Sequence, residues 1–227
     1  RREDLIVTSV TPLEPTAIDG HAPTSTGNDT HPMRAVTRRA AGLVPGGWDA
    51  ETRRTVAALF DGLAPDWHTR DSPQRRAVVS DCLERGLGAM AWTGGTDTVG
   101  IELGSGTGIY SDLVAGVVGS AIALDLSDAM LREAPSVPAA RLRGDSSALP
   151  LRSGSVDLVA VINMFLFPGE IARVLRPGGI LLWVNVSGPD TPIHLSTDEV
   201  VAALPFEVEG VESTAGAGTW CALRRIR

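Results

Sequence analysis

Three glycines follow directly after a short apolar segment, and they are the residues of this chain best suited to hold a ligand. The segment TVGIELGSGTG runs from Thr98 to Gly108, and its first part is typical of a buried parallel strand. Gly104, Gly106 and Gly108 then form a tight turn into the apolar stretch IYSDLVAGVV. Because glycine has no Cβ, the backbone at such a turn can approach a ligand closely. The pattern predicts a site for a nucleoside-type cofactor.

The spacing of these glycines and the acidic residue before them argue against a dinucleotide fingerprint. In the pattern G-x-G-x-x-G the third glycine would stand at position 109, which is Ile109. Glu102, two residues before the first glycine, would repel a pyrophosphate but suits a cationic amino group. The turn therefore favours a cofactor with an amino group over NAD.

A second carboxylate follows the next predicted strand. Asp125 ends the strand in SAIALDL, about 20 residues beyond the glycine turn, where a carboxylate can accept hydrogen bonds from both hydroxyls of a ribose. Asp125 could instead only cap the next helix, but Ser127 is better placed for that task. We therefore predict that Asp125 binds a ribose, with each charge-assisted bond worth about 1.5–3 kcal/mol.

Four segments resemble, in order and spacing, the motifs of the small-molecule branch of the class I S-adenosylmethionine (SAM) dependent methyltransferases, a type 11-like methyltransferase family. They are TVGIELGSGTG, ALDLSDAMLREA, RGDSSALPLRSGSVDLV and EIARVLRPGGILLWV, and they extend over about residues 98–183. The resemblance implies a SAM-dependent methyltransferase whose cofactor is SAM.

The resemblance also implies a set of cofactor-binding residues. In the family, the carboxylate that corresponds to Asp145 accepts a hydrogen bond from the exocyclic amine of adenine, and the next backbone N–H, here that of Ser146, serves a ring nitrogen. Leu126 and Met130 would cover the ring, although each can equally be a core residue. The predicted cofactor-binding residues are Glu102, Gly104, Ser105, Gly106, Gly108, Asp125, Leu126, Met130, Asp145, Ser146 and Asn163.

One segment departs from the family pattern. Relatives usually carry further helical turns between the fourth strand and the segment EIARVL, often with a histidine pair, whereas this chain has only NMFLFPG. Asn163, Met164, Phe165 and Phe167 are therefore expected to line the region of the substrate. No catalytic residue can be transferred from relatives at this position.

Histidines are the candidates for a general base, which methyl transfer needs only when the acceptor must lose a proton early. The candidates are His68 in DWHTR and His194 after the fifth predicted strand, although each is more often a surface or packing residue than a catalyst. Trp67 could cover the methionine arm of the cofactor, and Arg70 could bind its carboxylate. The sequence predicts no metal ligands.

Alternating strand and helix patterns position these residues. From residue 93 onward they predict an α/β fold: a Rossmann-like, doubly wound, seven-stranded sheet that is mostly parallel and ends in an antiparallel hairpin. This core comprises residues 93–227. The hairpin is formed by FEVEGVES and GTWCALRRI.

The residues before the core divide into a tail and a helical region. Residues 34–92 contain two helices, capped by Asp49 and by Ser72, which are expected to pack on the core as a lid. Residues 1–33 are rich in Thr, Pro, Gly and Ser and lack a period. They predict a disordered tail, or residues foreign to the natural chain.

Composition limits the partners. A net charge of −7 at pH 7 disfavours nucleic acid, and no apolar run approaches the roughly 20 residues of a membrane span. We therefore expect a cytoplasmic monomer or homodimer that acts on a small molecule, with no membrane partner. All 20 residues of the Lys and Arg total are arginine, which excludes a lysine Schiff base, and Cys82 and Cys221 are expected to be buried free thiols.

These observations favour a SAM-dependent methyltransferase that transfers a methyl group to an O or N nucleophile of a small, apolar or aromatic metabolite. The apolar segment NMFLF is the basis for the apolar acceptor. Two alternatives stay open: a SAM-binding protein without transferase activity, serving as a regulator or partner subunit, and an NAD-dependent oxidoreductase.

Overall fold

The computed structural model describes residues 9–22 and 30–226, and within them eight strands form one sheet. The strands are β1 Ser9–Pro12, β2 Val99–Leu103, β3 Ser120–Asp125, β4 Ala139–Arg143, β5 Val156–Ile162, β6 Leu175–Asn185, β7 Val208–Ala215 and β8 Gly218–Arg225. Their order across the sheet is β1-β7-β8-β6-β5-β2-β3-β4. Strand β8 is antiparallel to β6 and β7, while the other neighbours are parallel. The predicted Rossmann-like fold with its C-terminal hairpin is confirmed, with eight strands rather than seven.

Short helices pack around the sheet, and two of them begin where the predicted caps placed them. They are α1 Pro32–Ala40, α2 Ala50–Leu63, α3 Pro73–Asp81, α4 Leu87–Ala89, α5 Ser111–Ala115, α6 Asp128–Glu133, α7 Pro168–Val174 and α8 Thr197–Ala203. The predicted caps are present: Asp49 Oδ1 accepts from Thr52 N at 2.7 Å, and Ser72 Oγ accepts from Arg75 N at 3.2 Å. No helix in the described part of the chain is long and apolar enough to cross a membrane.

The central strands are apolar on both faces because both faces are covered, as a parallel sheet requires. Every residue of β5, VDLVAVI, is buried. Its side chains alternate between two clusters, so that Val159 and Val161 pack on one face and Leu158 and Ala160 on the other. The two hydrophobic layers hold the ends of β2, β3 and β5 in fixed positions.

The expectation of a tail over residues 1–33 is wrong for residues 9–22, which run along the edge of the sheet. Strand β1 pairs with β7, and the contact continues where Leu13 N donates to Glu212 O at 2.8 Å. Thr16 Oγ1 donates to Asp81 Oδ1 at 2.8 Å. The segment SVTP has little apolar character, and its stability comes from hydrogen bonds to a strand 200 residues later, which no local pattern reports. The parts of the predicted tail at 1–8 and 23–29 lie outside the described residues.

The predicted lid divides into two parts with different roles. Helix α3 packs against the hairpin: Val78 and Val79 are buried against Trp220, whose Nε1 donates to Asp81 Oδ2 at 2.8 Å. It therefore belongs to the layer that covers the sheet and is not a lid. The cavity described next is lined by residues in and just before α1 and α2, by the 3₁₀ segment Ala64–Arg70, and by Arg75 at the start of α3.

Candidate functional site

A cavity of about 400 Å³ lies at the carboxyl ends of the parallel strands, where open α/β sheets place their ligand sites. Ten of the eleven predicted cofactor-binding residues line it, and only Gly108 does not. The ten are Glu102, Gly104, Ser105, Gly106, Asp125, Leu126, Met130, Asp145, Ser146 and Asn163. The fold therefore brings together residues that are up to 61 positions apart in the sequence.

The glycine turn presents bare backbone to this cavity. Gly104 and Gly106 have φ of +67° and +57°, the left-handed region that favours glycine. A Cβ on Gly106 would lie 3.1 Å from Trp67 Nε1, and one on Gly104 would overlap Met164. Gly108, at φ +78°, donates to Ser105 O at 2.9 Å and shapes the turn without reaching the cavity. The turn is a cradle that side chains at these positions would fill.

Asp125 ends β3 beside the turn and fixes its position. Its Oδ2 accepts from Gly106 N and its Oδ1 from Ser127 N, both at 2.7 Å. Burial raises the pKa of the carboxyl, and these backbone hydrogen bonds oppose the rise. Each carboxylate oxygen retains a second lone pair, so Asp125 can still accept from two ligand hydroxyls. Ser127 Oγ accepts from Met130 N at 3.0 Å, so Ser127 is the cap of α6, as predicted.

Glu102 is a buried acid on the floor of the cavity. The residue is 2% exposed, and burial raises the pKa of its carboxyl from 4.5 to about 7, although a hydrogen bond from Ser111 Oγ opposes the rise. A cationic group beside it would stabilise the ionised form and offset the cost of burial. Glu102 therefore fits a ligand that brings an ammonium group.

Asp145 joins the cavity to the helix above it. Its Oδ1 accepts from Ser147 N at 2.8 Å, while its Oδ2 lies 3.4 Å from both Trp48 Nε1 and Arg53 Nη1. Trp48 precedes α2 and Arg53 lies within it, so the helix reaches the carboxylate from above. A second contact, from Ser127 Oγ to Asp61 Oδ1 at 2.5 Å, holds the same helix over the site.

Asn163 lines the cavity in an unusual backbone conformation. Its φ is +50°, which few residues other than glycine adopt but asparagine tolerates. Its side-chain Oδ1 accepts from Val186 N at 2.9 Å and fastens the ends of β5 and β6. This leaves the side-chain NH₂ as the group that can serve a ligand.

Neither histidine predicted as a catalyst lies on the cavity. His68 is exposed, and its Nδ1 contacts Pro65 O at 3.0 Å. In a 3₁₀ helix residues three apart share a face, so Trp67 and Arg70 face the cavity together and His68 does not. His194 lines a separate depression beside Trp183 and Glu212.

His31, which was not among the predicted site residues, also lines the cavity. It is the N-cap of α1, where its Nδ1 accepts from Met33 N at 3.2 Å. The sequence did contain a signal for the start of a helix here, namely a capping residue followed by Pro32 at the first helical position. Because the preceding residues are polar, His31 was included in the predicted tail over residues 1–33.

Two arginines and an aromatic ring form one part of the cavity lining. The Arg70 guanidinium lies 4.3 Å from the ring centre of Trp67, and Arg75 Nη1 donates to Arg70 O at 3.1 Å. Tyr110 lies beside them, and burial raises the pKa of its hydroxyl to about 12, so it is a neutral hydrogen-bonding group there. This part of the cavity suits an anionic group.

Another part of the cavity lining is apolar and aromatic. Trp48 packs on Phe165 and Phe167 with ring centres 5.3 and 5.2 Å apart. Phe165 and Phe167 are almost fully buried, in one cluster with Val56 and Ile193. The cavity thus has a polar part formed by the glycine turn and carboxylates and an apolar part formed by this aromatic cluster.

Comparison with known proteins agrees with the geometry. Residues 101–183 match the family model of the methyltransferase domain. Demethylmenaquinone methyltransferase of Paenarthrobacter aurescens is 27% identical over 187 residues, covering 74% of this chain and 70% of that protein. Malonyl-(acyl-carrier protein) O-methyltransferase of Methylococcus capsulatus is 38% identical over 147 residues, covering 59% of this chain and 52% of that protein.

A solved structure confirms the fold. The complex of DhpI with SAH superposes with a TM-score of 0.59 at 18% identity, covering 77% of this chain and 97% of that chain. In this chain, the glycine turn, the carboxylates at the strand ends and the family match all indicate the same cofactor. Residues 101–183 thus carry a methyltransferase domain, and the comparisons support a SAM-dependent methyltransferase enzyme whose cofactor is SAM.

Proposed function

We propose that this enzyme transfers the methyl group of SAM to an O or N nucleophile of a small, apolar or aromatic metabolite. The observation that supports the proposal is the division of the cavity. Its polar part fits the nucleoside and amino-acid portions of SAM, and its apolar part, built on Trp48, Phe165 and Phe167, fits a flat apolar acceptor.

Five residues are proposed to hold SAM. Asp125 accepts from the ribose hydroxyls, and Asp145 with the Ser146 N–H pairs with adenine. Glu102 faces the ammonium group, and Arg70 faces the carboxylate. The support is that all of them line one cavity and that each has a charge or hydrogen-bonding group complementary to its partner.

SAM supplies a methyl group that is already activated by its sulfonium, so the protein's task is to orient the acceptor and exclude water. The buried aromatic cluster excludes water at the acceptor part, and the helix over Asp145 and Ser127 covers the cofactor part. The names of the relatives indicate different acceptors, demethylmenaquinone and a malonyl-acyl carrier protein. The proposal of an aromatic acceptor therefore rests on the cavity wall.

The test is a methyl-transfer assay with tritium-labelled SAM and a panel of naphthols, benzoates and anilines. We expect label in at least one oxygen or nitrogen acceptor and none in naphthalene. Asp125→Asn should weaken SAM binding at least tenfold, since it loses charge-assisted hydrogen bonds. Asp128→Asn, on α6 and outside the cavity, is the matched control and should bind SAM as the wild type does.

Calorimetric titration with SAM and SAH separates the two parts of the proposal. If SAM binds but the entire panel stays unlabelled, the apolar aromatic acceptor is wrong. If Asp125→Asn binds SAM with full affinity, the proposed binding mode is wrong.

A further inference from the structure

His31 is the histidine of this chain that an acceptor can reach. All four histidines lie in the described residues, and of these His21 bonds Val186 O, His68 is exposed, and His194 lies in another depression. His31 lines the cavity and is half-buried. Met33, two residues later, packs against the cluster of Phe165 and Phe167, so the start of α1 adjoins the apolar part of the cavity.

The helix cap determines which nitrogen of His31 carries the proton. Nδ1 accepts from the backbone N–H of Met33 at 3.2 Å, and a nitrogen that accepts has no hydrogen. In the neutral ring the proton is therefore on Nε2. No hydrogen bond within the described residues engages Nε2. His31 thus offers the cavity an N–H donor and cannot serve there as a base.

A donor in an apolar pocket favours an acceptor that carries a lone pair or a negative charge. An ammonium group has no lone pair to offer, and an aromatic amine is a weak hydrogen-bond acceptor. An aromatic hydroxyl that is bound as its anion fits best, because it needs no base and gains a charge-assisted hydrogen bond. The hydroxyl of Ser187 and the amide NH₂ of Asn163 are further donors that line the same cavity.

We propose that His31 binds the methyl acceptor by donating its Nε2–H to an ionised aromatic hydroxyl, which selects oxygen over nitrogen nucleophiles. The inference rests on the proposed function, whose aromatic acceptor it narrows to a phenolate. The residue contacts the acceptor directly and determines specificity.

The experiment measures binding of 4-nitrophenolate and nitrobenzene to the full chain saturated with SAH. The two probes share a ring and a nitro group and differ in the anionic oxygen. The variant is His31→Asn, because asparagine is a strong N-cap and keeps α1 capped while it removes the distal donor. His31→Ala removes both functions, and His68→Asn is the matched control outside the cavity.

We expect His31→Asn to raise the Kd of 4-nitrophenolate about tenfold, as the loss of a hydrogen bond to a charged group predicts. The Kd of nitrobenzene and the urea midpoint should stay unchanged, and His68→Asn should match the wild type. If His31→Asn binds 4-nitrophenolate as tightly as the wild type does, or weakens both probes equally, the proposal is overturned. If neither probe binds the wild type, the aromatic acceptor of the proposed function fails, and the inference fails with it.

Discussion

Glu102 should make the ligand-free enzyme less stable as the pH rises from 4.5 to about 7. Burial raises the pKa of its carboxyl across that interval, whereas in the unfolded chain the same group ionises near 4.5. Between the two values the folded state still holds a proton that the unfolded state has lost, so the free energy of unfolding falls with rising pH. A shift of one pKa unit corresponds to about 1.4 kcal/mol. The shift from 4.5 to about 7 therefore lowers the free energy of unfolding by about 3 kcal/mol in total.

The assay is urea unfolding of the wild type and Glu102→Gln across this pH range, without SAM. Glutamine keeps the shape of the side chain and can accept from the Ser111 hydroxyl, but it does not ionise. Below pH 4.5 the wild type and Glu102→Gln should have similar free energies of unfolding. At about pH 8 the variant should be more stable by up to about 3 kcal/mol.

A matched control makes the result specific. Glu133 is an exposed glutamate at the end of α6, and Glu133→Gln should leave the pH dependence unchanged. If the difference between the wild type and Glu102→Gln does not vary with pH, the reasoning from burial is refuted. Glu102→Gln should also bind SAM more weakly, since it loses the charge proposed to face the ammonium group.

Two further substitutions test the cradle and the helix layer. Gly104→Ala should weaken SAM binding at least tenfold by calorimetry, because the backbone there has a φ of +67° and the new Cβ would overlap Met164. Gly154→Ala is the control, since its backbone has a φ of +62° but its Cβ would meet open space. It should cost only about 1 kcal/mol of stability and leave the affinity for SAM unchanged. Asp81→Asn should lower the free energy of unfolding in urea by about 1–3 kcal/mol. The two carboxylate oxygens accept from Trp220 Nε1 and from Thr16 Oγ1, each at 2.8 Å, whereas asparagine has one acceptor oxygen and sets its NH₂ against the other donor. An unchanged midpoint would contradict this.

Sequence reasoning worked best where a residue's role follows from its immediate neighbours. The glycine turn, the carboxylate Asp125 at a strand end and the cap Ser127 each lie within a few residues of the signal that identifies them. Parallel strands bring their carboxyl ends to one edge, so the order of strands was enough to place these residues together.

Predictions from the sequence were wrong where the position of a residue depends on a partner far away in the chain. The strand β1 was expected to be part of a tail because its stabilising contacts are with β7 at the other end of the chain. Helix α3 was expected in a lid, but the contacts of Asp81 with Trp220 fix it to the hairpin. His68 and His194 were only candidates for a base, and neither lines the cavity. The orientation of the 3₁₀ segment keeps His68 off the cavity, and the loop after β6 places His194 in a separate depression.

The sequence by itself indicated a SAM-dependent methyltransferase and the residues of the glycine turn, because those depend on backbone conformation and strand order over about 85 residues. Only the tertiary structure decided which other residues line the cavity together with the glycine turn. Trp48 meets Phe165 and Phe167, and His31 reaches the same cavity, because packing joins segments more than 100 residues apart. Such contacts minimise exposed apolar area for the whole chain, and no window of the sequence contains that balance.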